Sequence, residues 1–167
     1  MCFRKTIQEG ESVNLWIADD DIVSYKLLIS SAALGWRTPY LNAIISFDSN
    51  GVAIQETKEL TGWIQDWSLY YHEGEVEPAK LMNFIDGDDC VRSVLQIDRG
   101  IHSCDSVDRA VEVAFSRFAN SNKVFTCIIP KGSRFLKNDS GDFVSDKLII
   151  FETYSDYARY KKSKKEG

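Results

Sequence analysis

The run Asp98-Arg99-Gly100-Ile101-His102-Ser103-Cys104 concentrates side chains able to do chemistry. His102 is one of two histidines, and a neutral imidazole there can accept a proton or hydrogen-bond a ligand. The competing expectation is a His bonded to backbone at a strand end, because a lone His lacks the fixed partner that catalysis needs. Cys104 follows two residues later, so both side chains share one face if the segment is extended. A Cys–His dyad needs an exposed thiol of lowered pKa. Cys127 lies in the apolar run 124–129, which predicts an inert thiol. The four cysteines, at 2, 90, 104 and 127, form no CxxC pair and no paired zinc-ligand spacing. Each is expected to be a free, buried thiol of a reducing cytoplasm.

Other candidates are weaker. Asp19-Asp20-Asp21 offers three carboxylates to a hard cation, but Asp is also a preferred turn residue, and a turn is expected. Lys131-Gly132-Ser133-Arg134 is expected to be a turn after a strand, since no GxGxxG or Walker pattern is present. No catalytic residue, metal site or cofactor is therefore assigned.

The elements that must position these residues follow from periodicity. Residues 22–29 are β-branched and aliphatic and read as a strand. Residues 35–40 read as a Gly- and Pro-bearing loop, and 41–47 as a second apolar run. Asn50-Gly51 signals a hairpin turn with 52–54 as its return strand. Trp63, Trp67, Tyr70 and Tyr71 fit either a helical face or a strand. Cys90 to Ile97 reads as a strand. Asp105, Ser106 and Asp108 supply N-cap choices for an amphipathic helix with apolar residues at 107, 110, 111, 114, 115 and 118. Residues 124–129 and 148–151 read as buried strands, and 155–165 as a terminal helix. The expected fold is α+β: one domain, mostly antiparallel sheet, with one central amphipathic helix and a C-terminal helix.

Charge divides the chain of 167 residues. Residues 1–156 carry 24 acidic and 15 basic side chains, a net of −9. Residues 157–167 carry Arg159, Lys161, Lys162, Lys164 and Lys165 against Glu166, a net of +4. Seven acidic residues between 66 and 89 face Lys80 alone, and a solvated acidic surface is expected there. An acidic body argues against a generic nucleic-acid binder and leaves the five cations of the tail as the place for such contact. The division is thus a domain over 1–156 and a basic tail over 157–167. The N-terminus lacks the apolar core of a signal peptide, and no apolar stretch approaches the ~20 residues of a membrane span. A cytoplasmic location is expected.

Gly100-Ile101-His102-Ser103, Cys127-Ile128-Ile129-Pro130-Lys131-Gly132-Ser133 and Ser145-Asp146-Lys147-Leu148-Ile149-Ile150, with Met1-Cys2 and Asp21-Ile22-Val23-Ser24-Tyr25-Lys26, carry a resemblance. Over about half the chain the pattern resembles a group of small bacterial and phage proteins with no assigned activity. The order of parts is also similar, more distantly, to ADP-ribosyltransferase folds. Tyr25-Lys26, His102-Ser103, the helix, Pro130-Lys131-Gly132 and Ser145-Asp146-Lys147 follow that family's sequence of strands and stops. Lys26 stands where the family has Arg. Asp146 and Lys147 stand where its catalytic Glu falls, and Asp reaches one methylene less far. Misplacement of about 1 Å already costs roughly 100-fold in rate.

The expected function is a non-enzymatic module that binds a small ligand or a protein. The candidate ligand-binding residues are Tyr25, Lys26, Arg99, His102, Ser103 and Asp146, with Trp63, Trp67 and Tyr71 as an aromatic wall. The alternative is a group-transfer enzyme of the ADP-ribosyltransferase kind.

Overall fold

The computed structural model describes residues 3–7, 15–31, 35–39, 43–66, 72–76, 93–114 and 122–166. In chain order its elements are β1 (Phe3–Ile7), β2 (Trp16–Ile17), β3 (Ile22–Ser31), β4 (Gly35–Arg37), β5 (Ile44–Ile45), β6 (Val52–Gln55), β7 (Thr61–Asp66), β8 (His72–Val76), β9 (Ser93–Arg99), β10 (Ile101–Cys104), α1 (Val107–Ala114), β11 (Asn122–Ile129), β12 (Arg134–Lys137), β13 (Asp142–Ser145), β14 (Leu148–Phe151) and α2 (Tyr154–Glu166). The fold is α+β, and every strand pair is antiparallel.

A large sheet runs β2-β12-β13-β10-β3-β11-β14-β6, with β4 on β3 and β5 on β4. Its centre is the eight-residue register of β3 against β11, from Ile22 opposite Ile129 to Ile29 opposite Asn122. One face carries Leu28, Phe125, Cys127, Phe143, Leu148 and Ile150, all buried, with Ala53 from one end of the sheet and Phe135 from near the other. One core collecting both ends requires the sheet to coil around it, as right-handed twist favours. Trp36 meets Phe125 edge-on at 4.9 Å, and Phe47 stacks on the same ring at 5.7 Å. Each such buried side chain contributes about 1.5–3 kcal/mol of transfer free energy.

A smaller sheet, β1-β9-β7-β8, packs Phe3, Leu95 and Ile97 against Leu136 and Val144 of the large one, with Leu60 among them. Helix α1 lies against β3, β10 and β11. Its N-cap is Ser106, whose Oγ accepts the Arg109 N–H at 3.1 Å. Helix α2 starts at a reciprocal cap, in which Thr153 N–H donates to Asp156 Oδ2 at 3.0 Å and Asp156 N–H to Thr153 Oγ1 at 3.2 Å. It docks Tyr157 and Tyr160 on Phe151. The boundary at 156/157 therefore falls inside this helix. No described helix is long and apolar enough to cross a membrane.

Two local expectations need correction, and one open choice is decided in part. Gly35–Arg37 is a strand, not a loop, because Trp36 gains the Phe125 contact by extending beside Ser30; Tyr40 lies outside the described residues. The turn at Asn50-Gly51 forms, held by Asp48 Oδ1 on the N–H groups of Asn50 and Val52, and Gly51 takes φ 71°. Yet β6 pairs with β14 rather than back on the preceding apolar run, of which Ile44–Ile45 pairs with β4. Trp63 belongs to a strand, β7; Trp67, Tyr70 and Tyr71 lie outside the described residues, as do Cys90 and 115–121.

Candidate ligand-binding site

The site arises from a gap in the large sheet. One edge of β3 is filled by β11 along its length. The opposite edge meets β10 at a single pair, Tyr25 with Cys104, and β4 at Ile29–Ser31. Among the described residues no strand therefore pairs with Lys26, Leu27 and Leu28 on that edge. Buried backbone groups left unpaired are costly, so something must answer them. Across the gap the Lys26 side chain reaches β10, where its Nζ donates to the His102 carbonyl at 2.6 Å.

The gap opens into a cleft of about 510 Å³, counting space open to solvent at its mouth. Phe3, Leu27, Pro39, Ala110, Val113 and Phe143 form its apolar walls. Tyr25, Lys26, His102, Ser103, Cys104 and Asp142 supply its polar atoms. Four of the six residues expected from the sequence therefore meet in one place. Two stand apart among the described residues. Arg99 is exposed at the end of β9, opposite Thr61. Asp146 closes the turn after β13: its N–H donates to Arg134 O at 3.0 Å, its Oδ1 accepts Arg134 N–H at 3.1 Å, and its carbonyl accepts Lys58 N–H at 2.9 Å.

The electrostatics divide the polar atoms into two groups. Burial, with the Lys26 ammonium next in effect, pushes His102 down to about 3, so the imidazole stays neutral and is a poor base. Burial also lowers the Lys26 ammonium to about 8. Ser103 is buried, and its Oγ has no partner among the described residues. On the other side Asp142 is fully engaged. Arg109 donates Nε to its Oδ1 at 2.8 Å and Nη2 to its Oδ2 at 3.0 Å. Asn138 Nδ2 donates to Oδ2 at 3.1 Å, and the Cys104 thiol approaches Oδ1 at 3.8 Å. Burial disfavours the charged carboxylate, but the bonds from Arg109 and Asn138 outweigh it and hold the group below the usual range. The bond to Asp142 in turn raises the guanidinium above its ordinary value.

His102 and Cys104 do share a face of β10, but burial and then Asp142 push the thiol up to about 12. It stays protonated at neutral pH, and Cys127, buried and likewise at about 12, is as inert as its apolar setting implies. Among the described residues no group of His, Cys, Asp and Glu could hold a metal ion. The site can thus bind and orient, while its Cys104 thiol stays protonated and its imidazole, though neutral, is a weak base. Asp142 and Arg109 escaped sequence reasoning, although an Asp opening the apolar run Asp142-Phe143-Val144 was a signal that a partner must exist.

In the tail, Arg159 pairs with Asp156 at 3.3 Å and Lys164 with Asp21 at 3.6 Å. Asp21 also accepts the Lys131 N–H at 2.9 Å, so the acidic triplet is a turn tied to its surroundings. Lys161, Lys162 and Lys165 are exposed. Compared with known proteins, the chain matches no family model, no curated protein and no solved structure.

Proposed function

We propose that the chain is a cytoplasmic, non-enzymatic binding module that takes a small, largely apolar molecule into the gap between β10 and β4. The observation that carries this is a cleft with apolar walls into which Ser103 brings a buried hydroxyl that has no partner among the described residues. Among the described residues, buried unpaired side-chain atoms occur on Ser24 of β3, Arg37 of β4, Ser103 of β10 and Gln55. Of these, Ser103 lines the cleft itself. Leaving a buried donor or acceptor unmade costs about 1–3 kcal/mol, and a ligand in an apolar cleft with a few polar points recovers it. The free thiols of Cys104 and Cys127 suit a reducing compartment.

A thermal-shift titration with small aromatic probes such as indole and phenol tests the reading. Binding raises stability by mass action, about 2.7 kcal/mol at 100 times Kd. Val113→Phe, which fills the cleft, should abolish the shift and leave the unliganded Tm close to that of the parent. Absence of any shift with every such probe would sink the proposal. NAD turnover that disappears in His102→Ala would instead favour the group-transfer alternative.

A further inference from the structure

Lys26, Pro39 and His102 line a second cavity as well, which adjoins the apolar cleft across these three residues. It measures about 320 Å³, solvent at its mouth included, and its remaining lining is Thr38, Gln55, Lys58, Gly100 and Ile101. Two lysines line this space, and among the described residues no carboxylate does. Lys58 is held in place by its backbone N–H on the Asp146 carbonyl, while its ammonium has no ion-pair partner among the described residues. Gly100 closes one side, where a Cβ would strike Leu60 and Val144 at 2.5 Å. Thr38 is already engaged, since its Oγ1 accepts the Ala43 N–H at 3.0 Å. Gln55 is not: it is 8% exposed, and its Oε1 is buried without a partner among the described residues.

We propose that this second cavity is an anion subsite, which holds the carboxylate of an aryl or alkyl carboxylic acid between Lys26 and Lys58 while the acid's apolar body fills the adjoining cleft. The inference rests on the cleft reading above and names the ligand class. Two cations converging without a counter-charge repel each other, and an anion relieves that while forming charge-assisted hydrogen bonds. The Lys26 ammonium spends one N–H on the His102 carbonyl and retains two for the ligand. Gln55 adds a further requirement. Its orphaned oxygen is an acceptor, so it selects acids that carry a hydroxyl near the carboxylate over those that do not. Lys26 stands at the junction, where it can reach the head group of a molecule whose body lies against Leu27 and Val113.

Three nearly isosteric probes separate the possibilities by calorimetric titration: 3-phenylpropanoate, 3-phenyllactate and 3-phenylpropanamide. The expected result is the acid at least about tenfold tighter than the amide, the scale of one charge-assisted hydrogen bond. The hydroxy acid should be tighter again. Lys58→Met should remove the preference for acid over amide and leave amide binding unchanged. Gln55→Leu should remove only the preference for the hydroxy acid. Acid and amide binding alike, with Lys58→Met altering neither, would overturn the anion subsite and leave the cleft reading standing. If none of the three binds, the cleft reading falls, and acetate alone decides the subsite. Slowed acylation of Lys58 relative to exposed Lys131 in saturating acetate would support it, and equal rates would overturn it.

Discussion

Two polar groups on the strands that flank β10 make opposite use of burial. Around Asp142 every strong group is matched: the carboxylate receives a bidentate guanidinium, an amide and a thiol. Around Lys26 the matching stops short: one ammonium bond reaches a carbonyl, and a buried hydroxyl and a buried amide oxygen nearby have no partner among the described residues. Both groups border the same cleft. A matched network rigidifies the place where it sits, whereas an unmatched one leaves free energy for a visitor to recover. The contrast assigns Asp142 to holding α1 on the sheet and Lys26 to meeting a ligand.

The contrast breaks first, and with the largest effect, at Asp142. Asp142→Ala leaves Arg109 and Asn138 facing an emptied, part-buried site and should cost about 3 kcal/mol of stability in urea denaturation. A loss below about 1 kcal/mol would mean that the network holds nothing in place.

Acid separates the two groups next. His102 has a folded value near 3 against an ordinary 6.5. Between those values the unfolded chain binds a proton that the folded chain refuses. Stability therefore falls as pH drops from about 6.5, by roughly 3 kcal/mol near pH 4.5. His102→Gln should remove that share of the acid limb and keep the share due to paired carboxylates. Equal acid profiles for the parent and the variant would show that His102 is not buried as described.

The sequence carried part of this arrangement. Strand 22–29 and the segment 100–104 were legible because both concentrate apolar and β-branched residues between turn signals. Their side chains at 25, 26, 102 and 103 accordingly meet. The gap that joins them was not legible. It depends on where β10 stops and β4 begins along one edge of β3, and edge pairing leaves no local periodicity. Asp146 was placed by chain order alone, while its contacts are those of a turn. Gln55 and Lys58 were missed for a related reason. Nothing near 55–58 in sequence shows that β6 crosses to pair with β14 and so brings that segment beside His102.

Lys26→Met sharpens the contrast with a smaller effect. The substitution removes a charged hydrogen bond but also removes the cost of burying an ammonium, so stability near pH 7 should change by less than about 1 kcal/mol. The pH dependence is more telling. With Lys26 near 8 folded and 10.5 unfolded, the unfolded chain binds more protons between these values, and parent stability gains from this group as pH rises through them. Lys26→Met should lack that gain. A loss of several kcal/mol at pH 7 would instead place Lys26 with Asp142 as a structural group.

Ser103→Ala carries the smallest stability effect and the most pointed one. A buried hydroxyl with a partner costs about 1 kcal/mol or more when deleted, because the partner is stranded. Ser103 Oγ has none among the described residues, so its loss should leave stability unchanged or raise it by up to about 1 kcal/mol. Binding of a cleft-filling phenol should weaken in the same variant, since the ligand hydroxyl then finds no partner there. Loss of stability without loss of phenol affinity would show that the serine serves the fold, and the distinction between the matched and the unmatched side of the cleft would collapse.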